Sequence, residues 1–154
     1  MGMQILHAES FEQLQQIRSL FEEYWTTFGF TACFQNFDRE LAGLPGAYAK
    51  PEGRLALALM DEFPAGCIAL RRFGAGRAEA KRLYVRPQFR RRGIARTLLE
   101  WVIAEARAAG YCELVGDTLP AMTAALELYD RIGFHRTAED GAILLSLPIS
   151  GTGS

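Results

Sequence analysis

The chain has 154 residues, which is one hydrophobic core's worth. Apolar residues make up 49% and charged residues 23%; this excludes wholesale disorder, and no apolar run approaches the roughly 20 residues of a membrane helix. The net charge of −1 hides an asymmetry: residues 71–96 hold ten Arg or Lys and one acid, Glu79, so that segment is +9, while the other seven basic and seventeen acidic residues leave −10.

Residues 4–8 read as an opening strand. Ser10 stands at an N-cap position with Gln13 three residues on, as in a capping box. Leu14, Ile17, Leu20, Phe21 and Tyr24 then recur at helical spacing, which predicts a helix to about Phe28-Gly29. Residues 37–44 suggest a second, shorter helix closed by Pro45-Gly46. Residues 55–60 and 66–72 are apolar runs split by Asp61-Glu62-Phe63-Pro64, an antiparallel hairpin. A turn at 73–76 leads to a third strand, 78–85, which Pro87 stops. Residues 93–109 form the clearest helix, with Ile94, Leu98, Trp101, Val102 and Ala106 as its stripe and Gly110 at C′. Residues 113–117 read as a short strand. Pro120 opens a helix at N1 that runs to Ile132 and Gly133. Strands at 135–137 and 143–147 around Asp140-Gly141 close the order β-α-α-β-β-β-α-β-α-β-β. The fold class is α/β (α+β), one domain over residues 3–148 with a disordered tail at 149–154.

Cys33, Cys67 and Cys112 are odd in number and widely spaced, with only His7 and His135 beside them. Neither a disulfide framework nor a metal site is expected; three buried small apolar residues in a reducing cytoplasm are. The N-terminus carries no basic n-region or long apolar h-region, so no secretory signal is expected.

A segment as basic as 71–96 asks for an anionic partner or a solvated face. Nucleic acid would be read through aromatic residues interleaved with the arginines, and these are few, Tyr84 and Phe89 among them. No nucleic-acid or membrane partner is therefore expected. The order from Leu83 to Arg96 is more specific: strand, Arg-rich turn, Gly93, helix. A helix start leaves about four N–H groups unpaired and carries roughly half a positive charge. Turn N–H groups can be aimed at a phosphate, and Gly93 lets the backbone approach because it has no Cβ. The stretch lacks the Gly-Lys-Ser/Thr of a P-loop, and Gly93 stands alone, so it is no Gly-x-Gly-x-x-Gly either. An ordinary solvated turn is the other reading of these residues alone.

Arg90-x-x-Gly93-x-Ala95 resembles the Arg/Gln-x-x-Gly-x-Gly/Ala signature of the GNAT (GCN5-related) N-acetyltransferases. The run Lys81-Arg82-Leu83-Tyr84-Val85-Arg86-Pro87 is similar to that family's fourth strand and acyl-CoA loop. Leu128-Tyr129-Asp130-Arg131-Ile132-Gly133-Phe134 resembles its Leu-Tyr-x-x-x-Gly-Phe element. The resemblance implies a mixed, mostly antiparallel sheet of six to seven strands flanked by about four helices, with its fourth and fifth strands splayed apart. It implies acetyl-CoA as co-substrate and no metal. The cofactor pyrophosphate would sit on N–H groups of Arg91, Arg92, Gly93, Ile94 and Ala95, with the Arg90 side chain holding the loop or a phosphate. The stretch Leu83, Tyr84, Val85 would pair with the pantetheine arm like an added strand, through the backbone of Leu83 and Val85.

Tyr129 falls at the family's general-acid position; a phenol, with a pKa ordinarily about 10, can protonate a departing thiolate. Glu79 resembles the base glutamate of the histone-modifying members, with pairing to Arg77 or Lys81 as its other reading. Asp117 is the second candidate, and a water chain the third. Where many relatives carry an asparagine seven residues before the tyrosine, this chain has Met122. The aromatic stretch Phe28, Phe30, Phe34 and Phe37 either walls the acceptor site or packs in the core. The activity implied is acetyl transfer from acetyl-CoA to a primary amine by direct attack in a ternary complex. The alternative is a non-catalytic acyl-CoA-binding module. The −10 balance outside the basic segment favours cationic amines as acceptors, and the chain is expected as a monomer or homodimer.

Overall fold

The Ser10–Gln13 pair caps the first helix as its spacing predicts: the Gln13 N–H donates to Ser10 Oγ, and the Ser10 N–H to Gln13 Oε1, both at 3.1 Å. The computed structural model describes residues 2–28, 34–118, 123–139 and 142–149. Helices α1 (Phe11–Phe28), α2 (Phe34–Ala42), α3 (Ile94–Ala108) and α4 (Thr123–Ile132) accompany one seven-stranded sheet. Its strands are β1 (Met3–His7), β2 (Arg54–Met60), β3 (Phe63–Gly74), β4 (Arg77–Val85), β5 (Glu113–Thr118), β6 (His135–Glu139) and β7 (Ala142–Pro148). They lie in the order β1-β2-β3-β4-β5-β7-β6, antiparallel throughout except for the parallel pair β4–β5.

Helix α2 occupies Phe34–Ala42 instead of residues 37–44, and a single 3-10 turn, Gly46–Tyr48, follows it. Periodicity identifies a buried face, not the ends of an element, and the Gly43 N–H bonding back to the Arg39 carbonyl closes this helix before Pro45. Pro120, the Asp140-Gly141 turn and residues 150–154 of the expected tail lie outside the described residues.

Both faces of the sheet centre are buried, and strand alternation divides them. Leu55, Leu57, Cys67, Ala69 and Tyr84 pack with Ile17, Leu20 and Phe21 of α1 and with Phe37 and Leu41 of α2. Ala56, Ala58, Ile68, Leu70, Ala78, Ala80 and Val85 pack with Leu98, Leu99 and Val102 of α3 and with Tyr129 of α4. Full burial of side chains such as Leu98 contributes about 1.5–3 kcal/mol each. Phe37 is core, stacked on Trp25 with ring centres 4.3 Å apart; the side chains of Phe28, Phe30 and Phe34 lie outside the described residues. Cys67 is buried and donates to the Arg82 carbonyl at 3.3 Å, whereas Cys112 is exposed, against the expectation of burial. Cys112 follows Gly110 at the end of α3, where the chain turns at the surface before entering β5.

One irregularity decides the shape of the site. β4 pairs with β5 only at Arg77↔Glu113, Ala78↔Leu114 and Glu79↔Val115. Beyond that, β4 continues against β3 as far as Val85, and β5 continues against β7 as far as Thr118. The β3–β4 register slips where Lys81 faces Ala69 and Tyr84 faces Cys67, so Arg82 and Leu83 share the place opposite Ile68. Arg82 takes φ 63°, in the left-handed region. Such a bulge bends and twists its strand, which carries β4 away from β5. Gly66 accommodates it: a Cβ there would lie 2.6 Å from the Tyr84 carbonyl oxygen. Gly66→Ala is therefore expected to lower stability by about 1–3 kcal/mol, read as a shift in the urea midpoint; an unchanged midpoint would show that the bulge tolerates a wider spacing.

Candidate active site

β4 ends at Val85 and passes through a 3-10 turn, Pro87–Phe89, into Arg90, Arg91, Arg92 and Gly93 before α3 begins. Arg91 (φ 65°) and Gly93 (φ 77°) both adopt the left-handed conformation. Glycine does so freely, while an arginine is held there at a cost of about 1–2 kcal/mol. The Arg90 side chain secures the turn, with Nε donating to the Val85 carbonyl at 3.0 Å. Thr97 fastens the other side, giving both its N–H and its Oγ1 to the Gly93 carbonyl at 3.0 and 2.9 Å. Gly93 is the N-cap and provides no side-chain cap, and a Cβ built on it would meet nothing within 4 Å. The start of α3 thus has no side-chain cap, and the space beside Gly93 is open. The Ile94 side chain is buried in the α3 core, Arg91 is exposed, and the Arg92 guanidinium lies 5.8 Å from the Phe89 ring centre.

Toward this turn β4 has one open edge. The Arg86 N–H donates to the Ala65 carbonyl of β3 at 2.8 Å. Strand alternation then aims the backbone groups of Val85, and of Leu83 two residues back, at the side β5 has left. The Val85 carbonyl is taken by Arg90, which leaves its N–H and the groups of Leu83. The Tyr84 side chain packs under α1, with its hydroxyl donating to Glu23 at 3.3 Å; burial raises its pKa. By the same alternation its backbone groups face β3, so Tyr84, expected among the residues beside the pantetheine arm, turns neither side chain nor backbone groups toward the gap.

Tyr129 and Glu79 fall on opposite sides of the sheet. Tyr129 is buried in the α3-side cluster, its ring edge-on to Phe134 with centres 5.1 Å apart. Glu79 belongs to the last β4–β5 pair; it is buried and accepts from Arg71 Nε at 2.7 Å. Its partner is neither Arg77 nor Lys81, its neighbours two along the strand, but the residue directly across in β3. Asp117 pairs through its backbone with Leu144 of β7; its side chain, like the whole of Met122, lies outside the described residues.

The basic segment is neutralised in part by carboxylates of the same chain. Among the described residues five of its ten cations are paired: Arg71–Glu79, Arg72–Glu52, Arg82–Glu40, Arg86–Glu23 and Arg96–Glu100. Most of these partners lie 20 to 63 residues away, so no local spacing reveals them. The Arg82–Glu40 pair is the most enclosed of those with a partner in α1 or α2, with side chains 15% and 18% exposed. Arg82 gives Nε and Nη2 to the two Glu40 oxygens, and Tyr48 donates to Oε2 at 3.0 Å. Burial opposes the Arg82 charge, but the hydrogen bonds and field of Glu40 outweigh it. The same burial, with Glu40 beside it, pushes the Tyr48 hydroxyl pKa up. This triad ties α2 to the bulge of β4. Glu40→Leu leaves Arg82 uncompensated and is expected to cost about 3 kcal/mol, most of it recovered in Glu40→Leu/Arg82→Leu. Denaturant unfolding of both variants checks this; a double variant as unstable as the single would contradict it.

The chain matches the acetyltransferase (GNAT) family over residues 14–134. It is 37% identical over 128 residues to an uncharacterised N-acetyltransferase of Schizosaccharomyces pombe, spanning 82% of this chain and 78% of that protein. Its fold is similar to that of a GNAT-family acetyltransferase from Staphylococcus aureus Mu50, with a TM-score of 0.82, 15% identity and coverage of 96% and 99% of the two chains. It is also similar to the PaiA N-acetyltransferase of Thermoplasma acidophilum, solved in complex with coenzyme A, with a TM-score of 0.79, 18% identity and coverage of 96% and 99%. An open β4 edge running into an uncapped, glycine-started helix, and a family match across most of the chain, lead to one conclusion: this protein belongs to the GNAT family and is an acetyltransferase.

Proposed function

We propose that the protein moves the acetyl group of acetyl-CoA to a primary amine by direct attack in a ternary complex. The parting of β4 from β5 just ahead of the α3 start carries this reading. The gap suits an extended pantetheine arm, which would bond the N–H of Val85 and the backbone of Leu83 as a strand would. At its end, the N–H groups from Arg91 to Ala95 suit a diphosphate, and the open space over Gly93 leaves room for one.

The chemistry then needs two proton positions. The amine nitrogen attacks the thioester carbonyl, forming C–N as C–S breaks. Tyr129, on the α3 side of the gap, gives its phenolic proton to the leaving thiolate. The proton lost by the amine goes to Glu79, on the opposite side, or through water to bulk. A covalent acetyl-enzyme is not required. Of the two described cysteines, Cys67 is buried with its thiol pKa pushed up by that burial. Cys112 bonds through its N–H to Gly76, at the end of α3 remote from Gly93; at 1.5 Å per residue the helix separates them by roughly 20 Å.

Gly93→Glu places a carboxylate where the diphosphate would lie and is expected to abolish acetyl-CoA binding in calorimetry; wild-type affinity would remove the turn from the donor site. Tyr129→Phe is expected to lower kcat about 10–1000-fold with donor affinity little changed, measured by thiol release with an amine panel. Undiminished turnover would pass the acid role to another group.

A further inference from the structure

A second recess lies beside the proposed reacting centre on the α2 face, with a volume of about 370 Å³. Arg39 and Glu40 of α2, Tyr48, Arg71 of β3 and Lys81 of β4 line it, together with the turn after α2. Its charge is lopsided. Glu40, its one carboxylate, is already filled by Arg82 and Tyr48. Arg71 commits Nε to Glu79, and its two terminal amino groups hold no hydrogen bond among the described residues. Arg39 and Lys81 form no ion pair among the described residues. Two cations with no ion pair among the described residues, Arg39 and Lys81, thus share one concave surface with the spare edge of Arg71.

The place of this recess along β4 gives it a use. Glu79 and Lys81 alternate with Ala78 and Ala80, which face α3, so both acid and lysine open on the α2 side. Lys81 precedes Leu83 by two residues, at most about 7 Å along a strand that bulges between them. That is within one small molecule's length of where the thioester would sit. Charges this close outweigh the net −10 of the residues outside 71–96, whose field is screened beyond about 8 Å at physiological ionic strength.

We propose that the acceptor carries an anion as well as its amine, and that Lys81, Arg39 and the free edge of Arg71 seat that carboxylate or phosphate in this recess. The proposal rests on the acetyl-transfer reading above and reverses the preference for cationic amines expected from the −10 balance outside the basic segment. Charge-assisted hydrogen bonds supply the selectivity.

The test is calorimetric and does not need turnover. CoA-loaded protein is titrated with N-acetylphenylalanine, its carboxamide and its phosphonate analogue as stand-ins for product. The carboxylate or the phosphonate is expected to bind about tenfold or more tighter than the carboxamide, the tighter of the two naming the anion. In Arg39→Gln/Lys81→Gln the difference shrinks to about twofold or less, with CoA affinity unchanged. Equal affinities in the wild type, no binding of any probe, or a preference that survives in the double variant each overturn the proposal. Failure of the wild type to bind CoA overturns the acetyl-transfer reading itself, and the proposal with it.

Discussion

Two neighbouring strands that stay paired for three residues and then separate are the constraint on which the rest of this structure turns. Backbone N–H and C=O groups inside a sheet need partners, so a gap between β4 and β5 is a standing demand for something to fill it. The fold maintains that gap with local devices. The bulge at Arg82 and Leu83 bends β4, and Gly66 gives the bent strand room. At the point of divergence Gly116 lets β5 approach: a Cβ there would stand 3.3 Å from the Ala80 carbonyl. Past the gap, Arg90 folds the turn back onto Val85, so that the open edge and the uncapped start of α3 meet. The proposed donor site is therefore mostly backbone, with side chains acting to hold the backbone in position.

Charge is organised around the same feature. The ion pairs Arg82–Glu40 and Arg86–Glu23 bind α2 and α1 to β4 at the bulge and at the strand's end. The helices of the α2 face are thus anchored to the strand that parts. Pairs this enclosed gain little net stability over an apolar contact, but removing one partner is costly, so they favour a single placement of the helices. Once these pairs are counted, the basic segment no longer presents a uniform positive face. Arg91 and Arg92 remain at the turn, and Lys81 with the spare edge of Arg71 remains in the recess.

The order of all eleven main elements was legible from the sequence, because apolar period and punctuation act locally: Ser10–Gln13, Pro87, Gly93, Gly110 and Gly133 mark ends that the chain uses. Helix α2 lies earlier than residues 37–44 because its buried face is short and its ends depend on contacts distant in sequence, such as Arg18 donating to the Leu41 carbonyl. The motif around Gly93 was legible for the same local reason, since a left-handed turn needs its glycine where it stands. The partner of Glu79 was not. A strand's facing residue is set by register, and only the β3–β4 hairpin brings Arg71 across from it. Glu40 carried no signal at all: nothing near it in the chain announces Arg82, 42 residues on.

Amide hydrogen exchange, resolved residue by residue with and without acetyl-CoA, tests the central claim most directly. The account predicts that donor slows exchange at Leu83 and Val85 on the open strand edge and at the amides from Arg91 to Ala95, while amides inside the β3–β4 and β5–β7 ladders change little. Slowing confined to other parts of the molecule, with the β4 edge and the α3 start exchanging as before, would contradict it.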